Sequence, residues 1–365
     1  MSGLNFDPLF VLNTKYARSN TTVSGQRPAR ISRSAPSLAV ALLAATALLH
    51  PASVRATPFT WNGLGGNTLW TDDDNWSPIG NPNDAANDTA TIGNGFNVNV
   101  NSSRSANSVS VGSGSTVTIN NAQTLTVGGG GVSNAGTIEL NSMGSTTTLG
   151  FVGPQTLGGS GSVDLSSNLE RITTNNTTLT HGADHTIQGD GNILGNTGGM
   201  INQGTILANV NGQALVIDPN GLGFTNQGTI RVENGGILDI NAGGTFTNTG
   251  RTIEIAQGRL DINSGVNMVG GTLMAHAGQE VQVSSVTLNG VTTEGQVNVT
   301  NAATVTVTNG LTNNGTWTLG SIGSTTTVEF VGDQTLGGTG TIDLSNSLER
   351  ITTNNTTLTH GADHT

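Results

Sequence analysis

Two histidines four residues apart, His181 and His185 in His181-Gly182-Ala183-Asp184-His185, return as His360 and His364. A His-x3-His pair brings two imidazoles to one metal ion when it lies on a helix, one turn apart. Here the segment is rich in Thr and Asn and contains a glycine, so the two rings are expected at a bend and need not converge. His276 is the one other histidine after residue 56, which is too few for a His-based hydrolase. Asp72-Asp73-Asp74, Asp84, Asp88 and Asp190 are oxygen donors of the kind calcium takes. The repeated Gly-Gly-x-Gly-x-Asp of calcium-loaded β-rolls is missing, and Gly189-Asp190-Gly191 occurs once. Solvated acidic loops and no cofactor are therefore expected, calcium being the one cation the acids would suit. Glu170-Arg171, repeated as Glu349-Arg350, is read as an exposed ion pair at a bend. Trp61, Trp70 and Trp76 are gathered near the start. They either plug the end of a thin core or, if exposed, stack on sugar rings. No catalytic, metal-binding or cofactor-binding set emerges from these residues.

Whatever holds these groups is a repeat. Residues 143–186 and 322–365 are identical at 35 of 44 positions, at an offset of 179 residues. Inside that unit runs a shorter motif, Asn-x-Gly and then usually Thr and an apolar residue. It contains Asn134 and Gly136, Asn202 and Gly204, Asn226 and Gly228, Asn248 and Gly250, and Asn313 and Gly315. Successive glycines at 204, 228, 250, 271, 295, 315 and 340 are 24, 22, 21, 24, 20 and 25 residues apart. That step suits one turn of a β-helix, with three short strands and three bends. Between bends the chain alternates, as in Thr137-Ile138-Glu139-Leu140 and Thr252-Ile253-Glu254-Ile255, so apolar members point in and polar ones out. Glycine at the bend would allow a positive φ. The asparagines of stacked coils would lie about 4.8 Å apart, close enough for a ladder. The 179-residue unit is close to eight coils, and a duplication of whole coils would preserve the phase of the helix.

The predicted fold is therefore all-β, a right-handed parallel β-helix with coils of about 23 residues. An antiparallel sandwich or a string of small β-domains competes, because turn signals every 8–12 residues would suit either. Aromatic residues make up only 4% of the chain, too little to fill a sandwich core.

Composition separates the ends. Lys15, Arg18, Arg27, Arg30 and Arg33 precede the apolar stretch Leu38 to Leu49, and Val54-Arg55-Ala56 follows. This is the order of a secretory signal peptide, over 1–56, with a long basic segment and cleavage before Thr57. Residues 57–98 form the expected Trp-rich N-terminal cap, and 99–365 the solenoid. From Thr57 onward 6 Arg stand against 22 Asp and Glu, a net charge of 6 − 22 = −16. Such a chain repels phosphate backbones and anionic lipid, so nucleic acid and membrane insertion are excluded as partners. Cysteine is absent, which suits an exported protein held by backbone ladders.

The segment holding Trp61, Trp70, Asn75-Trp76, Pro82 and Asp88, followed by coils reading Asn-x-Gly-Thr-Ile, resembles bacterial autotransporter-type β-strand-repeat proteins. His185-Thr186-Ile187-Gln188-Gly189-Asp190-Gly191 with Asn202-Gln203-Gly204-Thr205-Ile206 is similar to the same group and to filamentous-haemagglutinin-like adhesins. The resemblance covers most of residues 57–365. It implies a secreted or cell-surface β-helix with a structural or adhesive role, whose partners are host or matrix glycans or proteins. A polysaccharide-binding or polysaccharide-degrading β-helix is the alternative. The second repeat stops at Thr365 in mid-unit, so further coils of a longer parent protein are expected.

Overall fold

The computed structural model describes residues 56–365, so the expected signal peptide lies outside the described residues except for its last one. The alternating segments become strands, 34 among the described residues, joined in one continuous sheet. Among the described residues there is no α-helix, only a short 3-10 turn at Asp73–Asn75, and no helix long and apolar enough to cross a membrane. Pro58–Trp61 pairs antiparallel with Trp76–Ser77; every other strand pairing is parallel. Each strand lies against the strand one coil before and one coil after. The result is a parallel β-solenoid of about 13 turns with coils of about 22 residues. The competing sandwich is overturned by this pairing, since a sandwich of hairpins would be antiparallel.

One coil has three faces. Thr124–Asn134 ends on the first face, Thr137–Asn141 forms the second and Thr147–Phe151 the third. The chain then re-enters the first face at Gln155–Gly158, beside Val132 and Ser133. Inward positions stack like on like. On the second face Val98, Val117, Ile138, Val163, Ile187, Ile206, Ile230, Ile253 and Leu273 follow one another in register, all buried. On the first face Phe224 stacks on Phe246 with ring centroids 4.8 Å apart and planes 10° apart. That distance is the spacing of neighbouring strands, so the ladder itself sets the stack. β-branched and aromatic side chains suit such a pleated, half-buried surface, and each coil buries only a few of them.

The two long repeats do not occupy equivalent places. Thr147–Phe151 belongs to the third face, whereas its counterpart Thr326–Phe330 pairs with Thr304–Val307 on the first. The third face runs on from Thr147 through strands at 170, 191, 214, 236, 258, 280, 296 and 316, which is eight coils. Thr326 comes one face later. The duplication therefore measures eight and one-third coils, and the expected preservation of phase is corrected to a rotation by one face. Three faces of similar strand length, each with one apolar side, accept the same sequence after such a rotation.

Candidate functional site

At the start of the solenoid Trp61, Trp70 and Trp76 are all buried, at 3%, 0% and 0% exposure. Trp76 is the hub. Its ring meets Trp61 edge-on at 5.0 Å, Trp70 at 4.9 Å and Phe59 at 6.4 Å. The indole N–H of Trp70 donates to the Pro82 carbonyl at 3.0 Å, and that of Trp76 to the Trp70 carbonyl at 2.8 Å. Buried in this way, the rings offer no surface for a sugar to stack on. Pro58–Trp61 also pairs with Asp84–Ile92, so the segment supplies the first rung of the first face. The strand Asn97–Val100 runs across the expected boundary at residue 98.

The Asn-x-Gly motifs lie at corners. Those at 134, 202, 226 and 248 turn the chain from the first face to the second. The one at 313 turns it from the second to the third, in keeping with the rotation of the repeat. All five asparagines are buried. Their amides form the expected ladder inside the coil: Asn202 Nδ2 donates to Asn226 Oδ1 at 2.9 Å, and Asn226 Nδ2 to Asn248 Oδ1 at 2.8 Å. Asn134, Asn226 and Asn313 also accept the N–H of Gly136, Gly228 and Gly315 within their own corners. The expected reason for the glycines needs correction. Gly250 has φ +71°, but Gly136, Gly204, Gly228 and Gly315 are not in the left-handed region. A Cβ on Gly228 would overlap the carbonyl oxygen of Gly204, and one on Gly315 that of Gly295. Glycine is needed at these corners because the preceding coil's backbone passes too close for a side chain.

The histidines converge. His181 Nε2 lies 3.1 Å from His185 Nδ1, and both rings are buried. His185 Nε2 meets the Asn134 amide at 3.2 Å, and His181 Nδ1 meets Asn202 Oδ1 at 2.6 Å. The ends of the chain fix the protons. Asn134 can only donate through Nδ2, so His185 carries its proton on Nδ1 and donates to His181, which then donates from Nδ1 to Asn202. The bonds run in one direction through Asn202, Asn226 and Asn248 to the Arg251 carbonyl. Burial holds both rings neutral, lowering His181 to about 4 and His185 to about 3. In the second repeat His360, His364 and Asn313 repeat the contacts at 3.0 and 3.1 Å. The coil between Asn134 and His185 carries Gly158-Gly159-Ser160-Gly161 at this corner, where a Cβ on Gly159 or Gly161 would overlap the backbone of Asn134 or Gly136.

Glu170 is not half of an exposed ion pair. Its carboxylate is fully buried and accepts the N–H groups of Ser142, at 2.8 Å, and Ser166, with the Ser166 hydroxyl at 3.2 Å. It thereby ties two successive coils at one corner, and burial pushes its pKa upward. Arg171, the next residue on the strand, points outward into solvent because side chains alternate. The acids expected in solvated loops are mostly turn acceptors. Asp72 takes the Asp74 N–H, Asp84 the Ala86 N–H and Asp88 the Asn83 N–H. Asp190 is buried, and burial raises its pKa. Among the described residues no three His, Asp or Glu side chains gather in a way that could hold a metal ion.

Outside the core, three hollows matter. One lies at the corner before the second face, about 470 Å³, lined by Thr116, Thr137, Ser162 and Thr186. Further along the same corner is one of about 490 Å³ with Thr229, Arg251, Thr252, Glu254 and Met274. Its single carboxylate, Glu254, is held by Arg231 at 3.5 Å and His276 at 3.0 Å. The third, about 440 Å³, lies on the third face around Gly150 and Arg171. Comparison with protein families, with curated proteins and with solved structures finds no match for this chain.

Proposed function

We propose that this chain is an exported, surface-exposed β-helical rod with a structural and adhesive role. The observation that carries the reading is a hydroxyl column on the second face. Thr116, Thr137, Ser162, Thr186, Thr205, Thr229, Thr252, Thr272, Thr292 and Thr312 occupy the same outward position in ten successive coils. Neighbours in this column are about 4.8 Å apart, and each offers one donor and two acceptor lone pairs. A rigid, evenly spaced array engages a repeating glycan or protein surface by many weak contacts, and the gain comes from multivalency. A stiff parallel stack suits this task, since its spacing is fixed by backbone hydrogen bonds.

The test is retention of the full chain on immobilised glycans and matrix proteins. Replacing Thr205, Thr229 and Thr252 together by Glu should lower retention at least ten-fold while the melting temperature stays within a few degrees. Retention that ignores this triple change, or no retention on any surface, overturns the reading. The polysaccharide-binding alternative is favoured by the hollow around Gly150.

A further inference from the structure

Gly150 differs from the corner glycines. It sits within the strand Thr147–Phe151, one residue from its end, outside the left-handed region. A Cβ there would meet Thr173 Oγ1 at 3.4 Å and the methyl carbons of Thr124 and Thr148 at 3.9 Å, which is ordinary contact. Neither the backbone nor the packing requires glycine at this position. Its effect is to omit one outward side chain between Thr126 in the coil before and Thr173 in the coil after. The omission forms the floor of the 440 Å³ hollow, walled by Thr124, Thr126, Thr148, Thr173 and Arg171.

Arg171 is exposed and has no carboxylate within ion-pair distance among the described residues. Glu170 faces inward, and Asp218, close enough to feel the Arg171 charge, forms no ion pair with it. This is an uncommitted guanidinium on a chain of net charge −16 after residue 56. It borders a recess of the size that takes a small ligand, about 300–1,000 Å³.

We propose that this hollow binds an anionic saccharide, a sugar carrying a carboxylate or a sulfate. The guanidinium's fork matches either anion in bidentate fashion, and the threonine hydroxyls both donate to and accept from sugar hydroxyls. The second repeat supplies an internal control. Thr327 and Arg350 stand where Thr148 and Arg171 do, but Glu329 replaces Gly150, between Thr306 and Thr352. A carboxylate there fills the recess and repels an anion, so one site per chain is expected, in the first repeat. This proposal rests on the reading of the chain as a glycan-contacting rod and adds a ligand class and a place.

Calorimetric titration of the full chain with oligogalacturonate, a sulfated heparin oligosaccharide and a neutral malto-oligosaccharide tests it. At least one anionic probe should bind at least ten-fold more tightly than the neutral one, at one site per chain, and which of them binds distinguishes carboxylate from sulfate. R171Q and G150E should each weaken that binding ten-fold or more, and R350Q should leave it unchanged. If G150E fails to fold, G150S fills the recess with a side chain the site accommodates. No binding, equal binding of neutral and anionic probes, or full binding by R171Q overturns the site. Surface retention that still depends on the Thr column would then leave the adhesive reading standing.

Discussion

A neutral imidazole accepts one hydrogen bond and donates one, and the buried pair His181–His185 uses all four of these capacities. Adding a proton to either ring sets a donor against a donor and places a charge in the core. Unfolded imidazoles take up a proton near pH 6.5, the buried ones only near pH 4 and pH 3. Between those values the unfolded chain binds more protons, so this pair's contribution to stability falls as pH drops from about 6.5 towards 4. Glu170 and Asp190, both raised by burial, act with the opposite sign. The melting temperature of H181N/H185N should therefore depend less steeply on pH between 6.5 and 4 than that of the unmodified chain. An equal slope in the two proteins would contradict this account. In the same ladder, N226L removes the partner of the Asn202 amide, of Asn248 Oδ1 and of the Gly228 N–H. At about 1–3 kcal/mol for each orphaned buried group, it should be among the most destabilising single changes in the chain, as denaturant unfolding would show.

At the scale of the strand and its corners, the glycines fall into kinds that demand different things. Gly228 and Gly315 stand where the previous coil's carbonyl leaves no room for a Cβ. Gly212 has open space around it but φ +71°. Gly150 has neither constraint. Alanine should therefore cost most at Gly228, about 1–3 kcal/mol or more from overpacking. It should cost about 1 kcal/mol at Gly212, and at Gly150 it should be neutral or slightly stabilising through the unfolded chain. Thermal melts of the three variants give the order directly, and a G150A more damaging than G228A would refute it.

For the whole molecule, stability is close to a sum over coils and the contacts between neighbours. Deleting residues 205–228 removes one coil and joins Gly204 to Thr229, which already pairs with Thr205 in the same register. That protein should fold with unchanged β content and similar resistance to protease. Deleting only 205–208 removes one strand without its corner, sets each later strand against a corner and should yield a protease-sensitive chain. The duplication makes the same point naturally: rotation by one face keeps strands on strands and corners on corners, so eight and one-third coils are tolerated.

Much of this was legible in the sequence. Strict alternation with Asn-x-Gly punctuation determines strands, bends and a coil of just over twenty residues, because inward and outward positions differ in polarity along the chain itself. The amide ladder was legible for the same reason, as repetition puts like residues in register. Contacts between coils were decided only by the tertiary structure. Whether Glu170 faces solvent or ties two corners depends on the coil before it, and the sequence shows only its neighbour Arg171. His181 and His185 are bracketed by Asn134 and Asn202, which lie 51 and 21 residues away along the chain and come together only when the coils stack. A corner glycine looks the same in sequence whether φ or a passing carbonyl demands it. The residues that could do chemistry were visible from the start; which of them are buried, paired or left open was settled by the stacking of coils.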